Sequence, residues 1–390
     1  MRTLFIINRC KHTHLNYVRA VAPHCAGNRV VISYMANDWL AKTALARADD
    51  VLGGVTVLHP EPIDELEIDL DRFDTAVRSA IHELQPEVVH ILFYLHDHLV
   101  VRVRGILDEL GSPAPLIYET RDPSGILRES LPEKEAIEAA DGYIFVSHAT
   151  FDYFFDRYLF EPRPYLVVRH GENYANRDTL PKKQSDLDGR THVTLLGWFS
   201  EHLGEGRHYE EYIRAFVANT ENTVLHAFSH RPRPYLEKLE AELDGRFVNH
   251  EKVQEALFAK PPLFTSTIGA YDFNLVAHML WAEKNEREVL RYCNPTKATS
   301  PIVLADLPLL CTHHYQGIRE IIDEYGCGMT FRGWSDLNEL FRDRDRWIPM
   351  REGAARAAKE LCLEAQGKRV AAFYRDVLSE KRRTRATARR

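Results

Sequence analysis

The chain of 390 residues has few cysteines and no long uncharged apolar run. Six cysteines are too few for a disulfide scaffold, and none forms a CxxC pair, which disfavours a structural zinc module. No uncharged stretch reaches the roughly 18–20 residues that cross a bilayer. The opening MRTLFIIN predicts a first β-strand, because its apolar run is shorter than the roughly 7–15 residues of a signal peptide. A net charge of −7 disfavours general nucleic-acid binding. These absences predict a soluble, reduced, cytoplasmic protein.

What is present is the composition of a folded protein. Apolar residues make up 45% of the chain and charged residues 27%, which excludes wholesale disorder. At roughly 100–200 residues per domain, the length suggests two domains.

Short apolar strands alternate with amphipathic helical stretches in the first part of the chain. The helical period is clearest in Leu70–Leu84, and a second stretch covers Glu135–Ala140. The predicted strands are Thr3–Ile7, Arg29–Tyr34, Val55–His59, Val88–Phe93, Leu116–Tyr118, Gly142–Val146 and Tyr165–Val168. This alternation predicts βαβ crossovers and a parallel sheet covered by helices on both faces.

A polar stretch, Asn173–Arg190, interrupts the alternation and is interpreted as a linker. The alternation then resumes, with predicted strands His192–Gly197, Thr223–Ser229, Arg246–Asn249, Leu309–Thr312 and Met329–Phe331. We therefore predict an α/β chain with two Rossmann-like, doubly wound parallel-sheet domains facing across a cleft. The predicted bounds are 1–178 for the first domain, 190–365 for the second, and 366–390 for a C-terminal helix and basic tail. The tail Lys381–Arg390 has six basic residues and no acid, so it is either a solvated end or a contact with an anionic membrane surface.

Ligands of doubly wound sheets bind at the carboxyl ends of the strands, so polar residues at those ends are the candidates for chemistry. The chain has neither GxGxxG nor the P-loop pattern, which disfavours ordinary dinucleotide and P-loop sites. Six strand-end segments follow one another in order: LIYETRDP from Leu116, ADGYIFVS from Ala140, YLVVRHGEN from Tyr165, VTLLGWFSE from Val193, NPTK from Asn294 and ADLPLL from Ala305. This ordered set resembles the two-domain GT-B glycosyltransferases, most closely the retaining family 4 group.

The resemblance implies transfer of a sugar from a nucleotide-diphosphate sugar that is bound mainly by the second domain. The loop Gly197–Gly206 would present backbone N–H groups and a helix N-terminus to the diphosphate, and Lys297 would offset the charge of the leaving group. The donor-side residues implied are Gly197, Ser200, Glu201, Arg207, His230, Asn274, Thr299, Ser300 and His313. Such enzymes usually need no metal, so we expect no cofactor beyond the nucleotide-sugar co-substrate.

The chain departs from the family pattern at four places in the second domain. The arginine that usually follows the opening glycine is Trp198, and the usual lysine is missing, with Arg207 the nearest cation. The usual glutamate is also absent, and Thr299 or Ser300 could substitute for it. Asp306 stands where the family has a glycine.

The first domain carries the remaining candidates. Arg121 and Asp122 resemble a variant seen in some polysaccharide-assembly enzymes: Arg121 would contact the donor phosphates or the acceptor, and Asp122 would orient it or act as a base. Alternatively, the two side chains only fix their loop. The acceptor-side candidates are His12, His14, His96 and His170.

Two apparent motifs in the first domain are given structural interpretations. His96 and His98 have metal-like spacing but no third ligand nearby, so we predict no metal site. Ser147 lacks a GxSxG elbow and is predicted to cap a helix.

The leading hypothesis is a glycosyltransferase that moves a sugar from a nucleotide-sugar to a glycan or lipid-linked acceptor in polysaccharide or glycoconjugate assembly. Retention of configuration is implied by the resemblance alone. Two alternatives stay open: a nucleotide-sugar 2-epimerase of the same architecture, and a protein that kept the fold and binds glycan or nucleotide without turnover.

Overall fold

The computed structural model describes residues 1–36, 42, 45, 52–63, 67–93, 97–120, 133–161, 163–169, 171–197, 199–202, 208–229, 232–250, 260–277 and 296–388. The chain divides into two compact units. The first combines Met1–His170 with Leu363–Arg390, and the second is Gly171–Cys362.

The first unit is built on a seven-stranded parallel sheet in the order β3-β2-β1-β4-β5-β6-β7. Its strands are β1 (Arg2–Cys10), β2 (Gly27–Met35), β3 (Val55–His59), β4 (Val88–Phe93), β5 (Leu116–Thr120), β6 (Gly142–Phe145) and β7 (Tyr165–Val167). All seven strands predicted for this part of the chain are present. Buried parallel strands read as short apolar runs, which is why the sequence pattern located them well.

Helices connect these strands: α1 (His12–Val21), α2 (Leu70–Leu84), α3 (Asp97–Glu109), α4 (Glu133–Ala139) and α5 (His148–Tyr158). The carboxylate of Asp69 accepts a hydrogen bond from the backbone of Arg72 and caps α2, whose apolar stripe is buried. The predicted capping role of Ser147 is confirmed, because its hydroxyl accepts a hydrogen bond from the backbone N–H of Thr150 at 3.1 Å.

The C-terminal part of the chain forms two helices, α13 (Trp347–Leu361) and α14 (Leu363–Ala388). Cys362 separates them because its ψ of 154° is extended. Helix α14 belongs to the first unit and buries Val370, Tyr374 and Val377 in the same core as α1. Gly367 allows this packing, since an added Cβ would lie 2.2 Å from the carbonyl oxygen of Ala20.

The second unit contains a six-stranded parallel sheet in the order β10-β9-β8-β11-β12-β13. Its strands are β8 (Thr191–Gly197), β9 (Thr223–Ser229), β10 (Phe247–His250), β11 (Phe273–Val276), β12 (Leu309–Thr312) and β13 (Gly328–Phe331). Its helices before α13 are α6 (Ser185–Asp188), α7 (Glu210–Asn219), α8 (Pro234–Glu242), α9 (Pro261–Ile268), α10 (Thr296–Ala305), α11 (Gln316–Tyr325) and α12 (Trp334–Arg342). The sequence analysis missed β11, a four-residue strand whose apolar run is interrupted by Asn274.

The polar stretch interpreted as a linker is packed against the second unit through charged and hydroxyl groups. Arg177 makes two hydrogen bonds, of 2.7 and 2.6 Å, to the carboxylate of Asp306. The ammonium of Lys183 donates to the carbonyl oxygens of Gly269 and Tyr271 at 2.8 and 2.7 Å, and burial lowers its pKa to about 8. These anchors are polar, so apolar periodicity could not reveal them.

No helix among the described residues is both long and apolar enough to span a membrane.

Candidate functional site

The centre of the second sheet is the point where its strand order reverses. β8 and β11 lie side by side there, with β9 and β10 on one side and β12 and β13 on the other. Loops that leave the carboxyl ends of two such strands diverge and leave a crevice, which is where doubly wound sheets bind ligands. Since α10 connects two parallel strands, β11 and β12, its N-terminus lies at this same edge.

Three predicted donor-side residues lie at the end of β8. Gly197 is its last residue, and Ser200 is buried with its hydroxyl accepting a hydrogen bond from the backbone of His202 at 3.2 Å. Glu201 is exposed and forms an ion pair with Arg233. The structure therefore brings these residues together at the edge that the topology selects.

Arg233 is a residue of this edge that the sequence analysis did not select. Its guanidinium is buried and donates to the carbonyl oxygen of Phe199 at 2.6 Å and to the carboxylate of Glu201. Because it stands directly before α8, it ties the loop after β8 to the loop after β9. A buried cation at a strand-end edge is a common component of anion sites, and the RPRP sequence at 231–234 was the available signal.

The helices that follow the two central strands, α7 after β8 and α10 after β11, differ in their suitability for an anion. Glu210 and Glu211 occupy the first turn of α7, and their negative charges oppose an anionic ligand at that N-terminus. Tyr209 fastens the start of this helix by donating its hydroxyl to the carbonyl oxygen of Ala277 at 2.9 Å. The first turn of α10 has no acidic residue, and Lys297 is its second residue. Of these two helix N-termini, that of α10 is therefore the better suited to phosphate.

The next turn of α10 carries Thr299 and Ser300, which are both buried. The hydroxyl of Ser300 donates to a carboxylate oxygen of Glu172 at 3.4 Å. The chain thus places a carboxylate from a distant segment beside the position where the resembling family carries its glutamate. Sequence spacing could not indicate this, since 128 residues separate the two positions.

Asp306 follows α10 with a φ of +48°, in the left-handed region. A left-handed residue ends a helix at little cost when it is glycine, and aspartate tolerates the conformation better than most residues. The two hydrogen bonds from Arg177 stabilise the aspartate here.

The other two donor-side candidates lie in different surroundings. Asn274 is buried within β11 and accepts a hydrogen bond from the hydroxyl of Thr194 at 3.1 Å, two residues before the strand end. His313 is exposed directly after β12, with its ring centroid 3.7 Å from that of His314. Partial burial, and then the neighbouring His313, lower the pKa of His314.

In the first unit, two acceptor-side candidates begin α1 at the carboxyl end of β1. His12 is its first residue and is half-buried, while His14 is buried. They stand where the first sheet also reverses its order, between β1 and β4. The predicted residues Arg121, Asp122, His96, His170, Arg207 and His230 lie outside the described residues. Within the described ranges, no group of three or more His, Cys, Asp or Glu side chains could hold a metal ion.

Three buried polar side chains of the first unit, His90, Glu119 and Tyr374, lie close together, which the sequence did not indicate. The Nε2 of His90 lies 3.1 Å from a carboxylate oxygen of Glu119, and the hydroxyl of Tyr374 lies 2.5 Å from the Nδ1 of His90. Burial, followed by nearby Cys25 and Glu119, raises the pKa of Tyr374 well above its ordinary value. These contacts connect α14 to β4 and to the end of β5, the strand that leads into the predicted Arg121 and Asp122.

No protein-family model matches the sequence, and no curated protein does either. Solved structures nevertheless match nearly the whole chain. A glycosyltransferase from Rickettsia africae has a TM-score of 0.62 at 9% identity, covering 97% of this chain and 98% of its own. A proposed UDP-N-acetylglucosamine 2-epimerase from Listeria monocytogenes has a TM-score of 0.60 at 15% identity, covering 97% of both chains. The UDP-N-acetylglucosamine 2-epimerase from Neisseria meningitidis, bound to UDP-N-acetylglucosamine, has a TM-score of 0.53 at 9% identity, covering 95% and 99%.

These similarities, together with two parallel sheets of Rossmann-like order, confirm the predicted fold class. The chain has the GT-B fold, which its solved neighbours use both for glycosyl transfer and for epimerisation of a nucleotide-sugar.

Proposed function

We propose that the protein is a glycosyltransferase that takes a sugar from a nucleotide-diphosphate sugar bound by its second unit and delivers it to a glycan or lipid-linked acceptor. One observation carries the proposal: Gly197, Ser200 and Glu201 lie at the carboxyl end of β8, and α10, which connects the neighbouring central strand β11 to β12, begins at the same edge of the sheet. That arrangement suits a diphosphate, because backbone N–H groups and a helix N-terminus meet there.

Each group at this edge has a role in the proposed reaction. The N–H groups of α10 and the ammonium of Lys297 would stabilise the negative charge that grows on the leaving diphosphate. Glu172 and Ser300, already hydrogen-bonded to each other, offer an acceptor and a hydroxyl for the donor's own hydroxyl groups. Arg233 is a buried cation that donates a hydrogen bond to the carbonyl oxygen of Phe199 in the segment after β8.

The acceptor would be held by the first unit, with His12, His14, His96, His170, Arg121 and Asp122 as the proposed contacts. We propose retention of configuration, as in the resembling family 4 group. In that chemistry a donor phosphate oxygen takes the acceptor's proton on the same face, so no strong protein base is needed. Cationic side chains and helix N-termini would then supply the charge stabilisation without a metal.

We also propose a cytoplasmic location in polysaccharide or glycoconjugate assembly. The basic end of α14 would provide a peripheral contact with an anionic membrane surface, since each basic residue there contributes about 1 kcal/mol.

A second candidate function is epimerisation at C2 of a nucleotide-sugar. The similarity to the Listeria and Neisseria structures favours it to the same degree, since the fold supports both reactions. Epimerisation needs a nucleotide-sugar alone, whereas transfer needs an acceptor. A nucleotide- or glycan-binding protein without turnover would show binding and neither reaction.

A thermal-shift panel of UDP-, GDP-, CMP- and dTDP-sugars tests the proposal first. A donor at about 100 times its dissociation constant adds about 2.7 kcal/mol to stability, which is a readily measured shift. The stabilising donor is then incubated with and without a glycan or lipid-linked acceptor extract. Acceptor-dependent release of nucleotide diphosphate supports transfer, and an isomerised donor without acceptor supports epimerisation. Failure of every donor to shift the melting temperature would contradict both enzyme functions.

A further inference from the structure

A pocket of about 490 Å³ lies in the first unit at the amino-terminal edge of its own sheet. Its walls come from the residues that begin or precede three neighbouring strands, β1, β4 and β5, and from the later turns of α14. His12 and His14 follow β1 at the other, carboxyl edge. The pocket is therefore separate from the acceptor-side candidates.

Much of the pocket wall is apolar and open to a ligand. Ile81, Leu110 and Leu378 contribute aliphatic side chains, and Leu110 is 46% exposed although it is a large apolar residue. The volume lies within the roughly 300–1,000 Å³ of small-molecule sites. A ligand with an apolar ring or chain would cover this surface.

The charged residues of the lining are mostly cations: Arg2, Lys381 and Arg382 against Glu87. Lys381 is engaged, because its ammonium lies 2.7 Å from the carboxylate of Asp141. Arg382 lies 3.7 Å from Glu87. Within the part of the chain that the structure describes, the Arg2 guanidinium has no carboxylate at ion-pair distance, and its Nε donates to the carbonyl oxygen of Gln85 at 2.9 Å.

Two helix ends explain why cations gather at this edge. α2 ends at Leu84 and α3 ends at Glu109, so both direct carbonyl groups toward it. Each helix end carries roughly half a negative charge, which offsets only part of the positive charge of the lining. The carboxylate of Asp141 does not cancel the remaining positive charge, because it is paired with Arg104 as well as with Lys381.

We propose that this pocket binds a small amphipathic anion, with its acidic group at Arg2 and Arg382 and its apolar part against Leu110 and Leu378. This assignment does not depend on the reaction proposed for the carboxyl edge. It gives the first unit a second ligand site, one suited to a carboxylate, sulfonate or phosphate on an apolar ring or chain.

The fluorescent probe anilinonaphthalene sulfonate has this chemistry and tests the proposal on the full chain. We expect saturable binding of one probe per chain. Arg2→Gln should weaken it roughly tenfold or more, because a hydrogen bond to a charged group is lost. The neutral analogue N-phenylnaphthylamine should bind less tightly to the wild type and should be insensitive to Arg2→Gln.

Matched variants separate the pocket from general surface binding. Leu110→Glu should abolish binding, whereas Val101→Glu should not, since Val101 is a similarly exposed apolar residue of α3 outside the pocket. Arg382→Glu should weaken binding, and Arg383→Glu should leave it unchanged, because only Arg382 lines the pocket. Equal effects within either pair, or an absence of saturable binding, would overturn the proposal. Melting temperatures of all variants verify that each is folded.

Discussion

Acid should destabilise the second unit through a chain of three histidines that crosses its sheet. The Nδ1 of His192 on β8 lies 2.9 Å from the Nε2 of His226 on β9, whose Nδ1 lies 3.1 Å from the Nε2 of His250 on β10. The Nε2 of His192 lies 3.0 Å from a carboxylate oxygen of Asp188. The contacts are satisfied when each ring carries a proton on Nε2 and donates it toward Asp188.

The central ring carries the largest effect. Burial, followed by repulsion from His250 and His192, lowers the pKa of His226 from 6.5 to about 2. Below about pH 6.5 the unfolded chain therefore binds a proton that the folded chain does not, so stability is complete above that pH and is lost as the pH falls. The loss is about 1.4 kcal/mol for each pH unit. Burial lowers the pKa of His250 as well, which adds to the loss with the same sign.

Calorimetry of the full chain at about pH 7.5 and about pH 5.5 measures this effect. His226 alone should lower the stability of the second unit by about 1.4 kcal/mol between these conditions, or roughly 3–5 °C in melting temperature. His226→Gln keeps a donor and an acceptor but does not titrate, so its pH dependence should shrink by that amount. His24→Gln is the control, because His24 is exposed in the first unit. If His226→Gln retained the full pH dependence of the wild type, His226 could not be the cause of the acid destabilisation.

Three further predictions concern single positions. Because Asp306 has a φ of +48°, Asp306→Ala should be less stable than Asp306→Gly by about 1 kcal/mol in urea unfolding, and equal stabilities would contradict the backbone argument. Lys381→Met should lower the stability of the first unit by about 1–3 kcal/mol, because it leaves Asp141 with one cation fewer. An unchanged melting temperature would exclude a structural role for Lys381. Lys297→Ala should lower turnover with the stabilising donor at least roughly tenfold, while the melting temperature of the unliganded protein stays the same. Wild-type turnover in that variant would exclude a catalytic role.

The Lys381 result would refine an expectation from the sequence. Composition presented Lys381–Arg390 as either a solvated end or a contact with an anionic membrane surface. The structure continues α14 to Ala388 and binds Lys381 to Asp141 and to the carbonyl oxygen of Ala114. Liposome-binding experiments on the basic tail should therefore retain Lys381 and replace only the residues that follow it. Loss of binding in such a variant would support the proposed membrane contact.

Sequence patterns located the strands that are continuous apolar runs and missed the strand that contains a buried polar residue. The strands Val88–Phe93 and Thr223–Ser229 were predicted with the bounds that the structure shows, because a buried parallel strand is a short apolar run between turns. The strand Phe273–Val276 was missed because Asn274 breaks that run, and a hydrogen bond with Thr194 allows the amide to be buried. Such pairing between strands is invisible in the local sequence.

The candidate site shows the same division. Gly197, Ser200 and Lys297 could be selected because they belong to the segments VTLLGWFSE and NPTK, which resemble donor-side motifs of the GT-B glycosyltransferases. Arg233 could not, because its importance depends on its burial against the carbonyl oxygen of Phe199. Glu172 lies beside Ser300 only after the chain has folded.

The sequence by itself therefore determined the alternation of strands and helices and the parallel sheets, and it predicted the edges at which chemistry should occur. These follow from local apolar periodicity, which is written in neighbouring residues. Only the tertiary structure decided that the last helix belongs to the first unit, that charged side chains hold residues 173–190 against the second, and that three histidines form one chain. Those features depend on polar groups brought together from distant positions, and burial sets both their contacts and their pKa values.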